Sequence, residues 1–344
     1  MKLIKTTEAV GQVLCHDITQ IIPDVKKDAV FRKGHIIKEE DIPVLLSVGK
    51  DMVYIWENDE SMMHENEAAE ILYRMTAGKN MHPSNVKEGK IEIIADSGGL
   101  LKVDKDKLKK VNSFGEMMIA TRNGNTVVKK GDKLAGTRII PLVIKKDKME
   151  RALEICSDAP ILKILPFTAK KAAVITTGNE VFYGRIKDGF TQVVEKKISE
   201  FGVRMVFHET FNDDDKKITA GCLDAIDAGV DIIFCTGGMS VDPDDKTPLA
   251  IKNTGADIIS YGSPVLPGAM FLLSYYKKDD RVIPICGLPG CAMYNKRTIL
   301  DLVLPRLIAG DMITTDELAS LGEGGFCLNC DVCTFPNCGF GKGW

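Results

Sequence analysis

Three glycine-containing loops follow three apolar runs, and each loop also carries polar side chains that could contact a ligand. The loops are Thr177-Gly178-Asn179-Glu180, Thr236-Gly237-Gly238-Met239-Ser240 and Gly287-Leu288-Pro289-Gly290. Glycine lets a backbone approach a ligand closely, and the amino terminus of a following helix offers N–H groups to an anion. The pattern favours a ligand site built from all three loops, whereas the alternative is that glycine only closes tight strand-to-helix turns.

The second loop continues into an acidic segment. Asp242, Asp244, Asp245 and the hydroxyl of Thr247 follow it within residues 241–248. Such oxygen ligands suit Mg²⁺, which usually shares them with phosphate. The same residues could instead cap a helix with solvated carboxylates, so both interpretations stay open.

Four cysteines lie close together near the end of the sequence, in the pattern Cys327-x2-Cys330-x2-Cys333-x4-Cys338. Soft thiolates at this density predict a metal site, either zinc or an iron-sulfur cluster. The last spacing is one residue longer than in the bacterial ferredoxin run, so the metal stays open. An unmetallated, mobile redox tail is the alternative. We predict a Cys-rich metal-binding tail over 322–344, in which a flexible hinge at Gly322–Gly325 precedes the four cysteines.

The loops must be positioned by the elements around them. From Ala172 onwards, strand, loop and helix patterns alternate, with strands at 172–176, 203–207, 231–235 and 281–286 and helices at 190–201, 213–228 and 293–308. This alternation predicts an α/β domain over 168–311, with a mostly parallel sheet flanked by helices. In such a sheet the ligand crevice lies outside the carboxyl ends of the strands, so the loops could converge there. Asn212 or Asp213 could cap the helix at 213–228.

The preceding residues are rich in short β-like runs and glycine turns. Runs at 90–95, 116–121 and 138–144 predict strands, and helical spacing predicts helices at 63–77 and 147–156. We therefore expect a β-rich amino-terminal region made of a small module over 1–57 and a helix plus β-rich module over 58–165.

Composition excludes several classes of protein. The 344 residues are 44% hydrophobic and 27% charged, which is typical of a globular chain. A net charge of −3 lacks the basic excess of a nucleic-acid binder. Residues 1–8 form no signal-peptide pattern and no apolar run reaches membrane-spanning length, so we expect a cytoplasmic protein without membrane or nucleic-acid partners.

Residues 172–310 resemble the molybdopterin-binding domain shared by molybdopterin molybdenumtransferases, molybdopterin adenylyltransferases and the E domain of gephyrin. Four ordered motifs carry the resemblance: 177–180 with 184–188, 236–241 with Asp245, Pro267-Gly268, and 287–290. The amino-terminal segments 9–18, 31–37 and 41–50 resemble the transferases in part. The motifs extend through the α/β domain. No module of the family can be placed in residues 58–165.

The resemblance implies what these motifs would do. The loops would cradle molybdopterin or its adenylylated form, with Asp245 holding Mg²⁺ and Asp188 and Glu180 shaping the catalytic pocket. The implied ligand-binding residues are Thr177, Gly178, Asn179, Thr236, Gly237, Gly238, Ser240, Pro267, Gly268, Pro289 and Gly290. Since a catalytic acid is unassigned and could come from a partner subunit, we expect a homodimer.

Two departures from the family pattern bear on the reaction. The family's Lys-Pro-Gly-Lys-Pro loop is Leu266-Pro267-Gly268-Ala269-Met270 here, so both lysines that could meet an anion are missing. Its Gly-Leu-Pro-Gly-Asn-Pro is Gly287-Leu288-Pro289-Gly290-Cys291-Ala292. Cys291 is then either a soft ligand or a small buried thiol.

These observations favour a protein of molybdenum cofactor biosynthesis. It would insert molybdate into adenylylated molybdopterin with release of AMP, as a transferase with Mg²⁺. The alternative is a non-catalytic molybdopterin carrier or insertion factor, whose cysteine tail senses redox state or docks a molybdoenzyme. A third possibility keeps the fold and binds another phosphorylated nucleotide or pterin, because fold does not determine function.

Overall fold

The structure is a computed structural model, and it describes residues 1–22, 26–55 and 59–343. The chain divides into two compact units. The first comprises residues 1–97, 103–122 and 129–163, and the second comprises 98–102, 123–128 and everything from 164 onwards. The predicted boundary between residues 57 and 58 lies outside the described residues.

Strands and helices alternate irregularly along the described chain. The strands are β1 (Lys2–Lys5), β2 (Ile18–Ile22), β3 (Lys26–Phe31), β4 (Met52–Ile55), β5 (Met62–His64), β6 (Met81–Pro83), β7 (Lys90–Ala95), β8 (Gly99–Val103), β9 (Met117–Thr121), β10 (Thr126–Val128), β11 (Lys133–Ile139), β12 (Val143–Lys145), β13 (Leu162–Leu165), β14 (Lys171–Thr177), β15 (Arg204–Phe211), β16 (Ile232–Thr236), β17 (Asp257–Tyr261), β18 (Leu272–Lys278) and β19 (Arg281–Leu288). The helices are α1 (Ile42–Ser47), α2 (Glu65–Thr76), α3 (Lys105–Asn112), α4 (Lys146–Ile155), α5 (Asn179–Phe182), α6 (Phe190–Ser199), α7 (Asp215–Asp227), α8 (Thr247–Asn253), α9 (Ile299–Ile308) and α10 (Thr315–Ala319). None of the helices in the described ranges is long and apolar enough to cross a membrane.

The first unit is built from small antiparallel sheets. Its largest sheet has the order β6-β7-β11-β9, and β1 pairs with β4, β2 with β3 and β5 with β12. The two predicted helices are present as α2 and α4, whereas α3 has no counterpart in the sequence prediction. The predicted strand at 138–144 was wrong as a single element, because β11 ends at Ile139 and β12 begins at Val143. Pro141 lies between them and has no N–H to donate to a strand partner.

The second unit confirms the predicted α/β fold. Its six-stranded sheet has the order β15-β14-β16-β19-β18-β17. β15, β14, β16 and β19 pair in parallel, and β18 and β17 continue the sheet in antiparallel pairing. In the same unit β8 and β10 pair antiparallel.

Helices cover both faces of the large sheet. Successive residues of each central strand point to opposite faces, and both sets of side chains are buried. Val174 and Phe234 pack with α6 and α9, whereas Ile175 and Ile233 pack with α7 and α8. Side chains alternate across a strand, so a continuous apolar run is what a strand between two helix layers requires.

One predicted helix start, at Met293, and one predicted helix cap, Asn212 or Asp213, were wrong for the same reason. The long helix predicted from Met293 begins at Ile299, where Thr298 accepts a hydrogen bond from the N–H of Leu300 and Asp301 accepts one from the N–H of Thr298. The helix predicted from Asp213 begins at Asp215, and Asp214 is the residue that caps it. In both cases a side-chain cap, rather than the apolar periodicity, determines the first turn.

The last described residues pack onto the α/β core. Phe340 is only 5% exposed and belongs to the core cluster that contains α9. Gly322–Gly325, predicted as a flexible hinge, forms a close turn in which the N–H of Gly325 donates to the carbonyl of Gly322 (3.2 Å). The N–H of Gly341 also donates to the carbonyl of Gly324 (2.9 Å). The hinge prediction was therefore wrong, and the glycines serve close backbone packing.

We expect the Thr298→Ala variant to lower the free energy of unfolding by about 1 kcal/mol, because the start of α9 loses its capping oxygen. Thr298→Ser keeps that oxygen and should lose much less. Urea unfolding at neutral pH measures both variants. Equal losses would contradict the capping role.

Candidate functional site

A cavity of about 490 Å³ lies at the edge of the large sheet where the parallel strands end. It is lined by Met239, Ser240, Leu266, Pro267, Gly268, Ala269, Met270, Pro289, Gly290, Cys291, Phe326 and Cys327. Three chain segments of the α/β domain and one segment beyond it therefore meet at a single concave surface, which is where ligands bind in open α/β sheets.

The second and third glycine loops both reach this cavity. Ser240 lies in the loop that follows β16, and Pro289 and Gly290 directly follow β19. The loop 265–270 reaches it from the opposite direction, because β18 runs antiparallel to β19 and starts at the edge where β19 ends. The structure thus brings together Ser240, Pro267-Gly268 and Pro289-Gly290, which come from three of the four motifs.

The first glycine loop is not in the lining of this cavity and instead supports the second loop. A Cβ atom on Gly237 would lie 2.1 Å from the carbonyl oxygen of Thr177, so only glycine allows the two loops to approach this closely. The hydroxyl of Thr177 lies 2.9 Å from that of Thr247, and it donates to the carbonyl of Thr236 (3.3 Å). Thr177, Thr236 and Gly237 therefore hold one loop against the other.

Asp188, predicted as a catalytic residue, is engaged at both carboxylate oxygens. Its Oδ1 accepts hydrogen bonds from the N–H groups of Phe190 (2.8 Å) and Thr191 (3.2 Å), at the start of α6. Its Oδ2 accepts from the hydroxyls of Thr176 (3.0 Å) and Thr191 (2.5 Å). Burial opposes ionisation, but the hydrogen bonds from Thr191, Thr176 and Phe190 outweigh it and hold the pKa of Asp188 below its usual value. Asp188 anchors α6 to the end of β14.

An acidic group lies at the ends of β14, β15 and β16. The Asp213 carboxylate accepts a hydrogen bond from the N–H of Asn179 (3.0 Å). Burial, followed by repulsion from Glu180, Asp244 and Asp245, raises the pKa of Asp213 despite that hydrogen bond. The sequence pattern predicted Asp213 only as a helix cap, and it did not predict that Asp213 lies among these carboxylates.

Asp245 lies beside the cavity loop. Its Oδ2 accepts a hydrogen bond from the N–H of Asp242 (3.3 Å), and its side chain is half-buried. Tyr261, whose pKa is raised by burial and then by the charge of Asp245, donates its hydroxyl to the carbonyl of Met239 (3.0 Å). Tyr261 therefore holds the loop that forms one wall of the cavity.

Loop 265–270 is held against the start of α9. The Leu266–Pro267 peptide bond is cis, and Gly268 has a φ of 138°. A Cβ atom on Gly268 would lie 2.5 Å from Cγ2 of Ile299, and the N–H of Ile299 donates to the carbonyl of Pro267 (3.1 Å). Both the dihedral and the close contact require glycine at this position.

The predicted metal sites find no support. Among the described residues, no group of three or more His, Cys, Asp or Glu side chains is arranged to hold a metal ion. Cys327 and Cys338 are half-buried against the α/β core, whereas Cys330 and Cys333 are exposed. Neither the tail cysteines nor the carboxylates around Asp245 therefore fit a preformed metal site.

Cys291 lines the cavity as a half-buried thiol whose pKa is raised by burial. A raised pKa keeps the thiol protonated and lowers its reactivity. This environment fits the second interpretation from the sequence, a small packed thiol.

Comparison with known families agrees with this architecture. Residues 173–309 match the family described as "Probable molybdopterin binding domain", and residues 3–57 match a domain of unknown function. The matched residues 173–309 are the part of the chain whose motifs resemble this family.

Individual relatives are more distant. A competence-damage inducible protein of Bacillus velezensis is 30% identical over 86 residues, which cover 25% of this chain and 20% of that protein. Its counterpart in Bacillus thuringiensis is 24% identical over 110 residues, covering 32% of this chain and 26% of that protein. The matched stretch thus spans about a fifth to a quarter of these relatives.

Solved structures of similar proteins cover about two fifths of this chain. The tungsten cofactor synthesizing protein MoaB from Pyrococcus furiosus is 18% identical, with 42% of this chain and 98% of that chain covered and a TM-score of 0.36. CinA from Thermoplasma acidophilum, of unknown function, is 18% identical, with 40% and 98% covered and a TM-score of 0.34.

We expect Asp213→Asn to make folding less sensitive to pH. The pKa of Asp213 is raised in the folded state, so the unfolded state ionises first as pH rises above about 3.8, the value for an unperturbed Asp. The wild-type protein should lose stability relative to the variant between this pH and the folded-state pKa. Denaturant unfolding from pH 4 to 7 measures the difference in unfolding free energy between the two proteins. A difference that does not change with pH would contradict this prediction.

Proposed function

We propose that the α/β domain binds molybdopterin and that the protein acts in molybdenum cofactor biosynthesis. The observation that carries this proposal is the convergence of three motifs of the molybdopterin-binding family on one cavity at the carboxyl ends of β16 and β19. The cavity volume of about 490 Å³ falls within the usual range for small-molecule sites.

The proposed contacts divide into two sets. Ser240, Pro267, Gly268, Pro289 and Gly290 line the cavity and would touch the ligand directly. A second set would position the loops from behind, namely Thr177, Gly178, Asn179, Thr236, Gly237 and Gly238. Because the second set is held by its own hydrogen bonds and close contacts, the site would be largely preformed.

Insertion of molybdate into adenylylated molybdopterin, with release of AMP, is the first candidate activity. In this activity Asp245 and Glu180 would be the catalytic carboxylates. The partner subunit of a homodimer would supply any further acid. The described carboxylates do not fit a preformed Mg²⁺ site, so we assign no step to a metal. Positioning by the loops and their backbone N–H groups would then be this chain's contribution.

A carrier role is the second candidate, and the chemistry of the lining favours it. None of the residues that line the cavity is Lys, Arg, His, Asp or Glu. A site that stabilises a phosphate leaving group or molybdate normally supplies cations to it. An uncharged cavity is better suited to holding the pterin for delivery to a molybdoenzyme.

Gly290→Leu tests whether the cavity is the binding site. Gly290 lines the cavity, and a Cβ atom there would meet no other atom within 4 Å, so the variant should fold normally. The larger side chain should obstruct the cavity and weaken molybdopterin binding by about tenfold or more, equal to about 1.4 kcal/mol. Fluorescence titration with molybdopterin under anaerobic conditions measures the dissociation constant.

Gly136→Leu provides the matched control for this experiment. Gly136 lies on β11 of the other unit, and a Cβ atom there also meets nothing within 4 Å. The affinity of the Gly136→Leu variant for molybdopterin should equal that of the wild-type protein. Unchanged affinity in Gly290→Leu, with normal thermal unfolding, would place the ligand elsewhere.

The two candidate activities differ in a single assay. We would incubate the protein with adenylylated molybdopterin, Mg²⁺ and molybdate, and measure AMP release, with Asp245→Asn as the comparison. Release that depends on molybdate and is lost in Asp245→Asn supports a transferase. Tight binding without release supports the carrier.

A further inference from the structure

The chain beyond the family-matching residues returns to the cavity. The N–H of Leu266 donates to the carbonyl of Gly325 (2.9 Å), and the N–H of Cys327 donates to the carbonyl of Leu266 (2.8 Å). These two bonds form a parallel bridge between Leu266 and Phe326. The segment 325–327 is therefore paired, through its backbone, with the loop that carries Pro267 and Gly268.

Close glycine packing holds this segment in place. A Cβ atom on Gly325 would lie 2.4 Å from the carbonyl oxygen of Leu321 and 2.5 Å from that of Pro264. No other residue allows these backbones to approach so closely. The position of residue 326 beside the cavity is thus set by backbone contacts, and it does not depend on the side chain of Phe326.

The rest of the tail is anchored further along. Phe340 is buried in the α/β core and lies 6.1 Å from the ring of Phe335. The guanidinium of Arg297 lies 4.8 Å from the centre of the Phe335 ring, and Lys296 donates to the carbonyl of Asp331 (3.1 Å). Cation–π contact and burial of aromatic rings both stabilise this arrangement. The tail therefore forms a packed layer on the domain.

Phe326 is the unusual member of that layer. It lines the cavity, yet 67% of its surface is exposed, and neighbouring Leu266 is 52% exposed. A large apolar side chain exposed at the wall of a cavity gains apolar burial only when a ligand or partner covers it. Since the lining carries no charged side chain, the ligand portion that fits best against Phe326 is an uncharged ring.

We propose that the carboxyl-terminal segment is a wall of the ligand cavity and that Phe326 is a specificity-determining residue that packs against an uncharged ring of the ligand. This inference rests on the proposed function in taking the pterin of molybdopterin as that ring. It assigns a binding role to a part of the chain that lies outside residues 173–309, which match the molybdopterin-binding family.

Substitution of Phe326 tests this role. Phe326→Ala should weaken molybdopterin binding by about tenfold, because the ring contact is lost. Phe326→Tyr keeps the ring and should bind like the wild type. Leu328→Ala is the matched control, since Leu328 lies in the same tail and is 76% exposed but is not in the cavity lining.

Loss in Phe326→Ala, with normal binding by Phe326→Tyr and Leu328→Ala and with thermal unfolding unchanged in all three, supports the role. Wild-type affinity in Phe326→Ala overturns it. Equal losses in Phe326→Ala and Leu328→Ala also overturn it, because the effect would then belong to the tail in general.

A second probe keeps this test independent of the proposed function. If the wild-type protein binds no molybdopterin, the proposed function fails, and the same variants are then titrated with Nile red, an uncharged ring dye. Weaker dye binding in Phe326→Ala alone supports the cavity wall with another ring ligand. Equal dye binding in all variants overturns it.

Discussion

Parallel pairing of β14, β16 and β19 is the constraint on which the candidate site depends. Strands that run in one direction end at one edge, so the loops after β16 and β19 meet there. The pairing itself requires strands buried on both faces, and Ile232–Thr236 is buried at every position. The apolar core therefore determines where the polar loops come together.

The antiparallel strand β18 extends this arrangement. It begins at the edge where β19 ends and so delivers Pro267 and Gly268 to the same cavity. Gly237 and Gly268 then act in different ways. Gly237 allows the first loop to support the second, whereas Gly268 allows its own loop to lie against Ile299. Glycine at these two positions of the motifs serves close packing.

Much of this could be predicted from residue patterns, and the exceptions share a cause. The run at 90–95 has the bounds of β7, and the alternation after Ala172 is present as predicted. Periodicity could not show which of three consecutive aspartates caps α7, because that depends on the N–H of Asn179 pairing with Asp213. Nor could composition show that Gly325 meets the carbonyls of Leu321 and Pro264. Contacts between distant residues determine both.

The distribution of charge adds a constraint on the ligand. The cavity lining is uncharged, while Glu180, Asp244 and Asp245 repel the charge of Asp213 at the neighbouring strand ends. Tyr261 donates to the carbonyl of Met239 in the cavity wall, and the charge of Asp245 contributes to its raised pKa. An anionic group near these carboxylates is disfavoured unless a cation accompanies it. Loop 265–270 also lacks the two lysines of the family pattern, so this loop brings no cation to the site. An uncharged ring placed against Phe326 avoids that repulsion, and any phosphate on the same ligand must then point away from the acidic group.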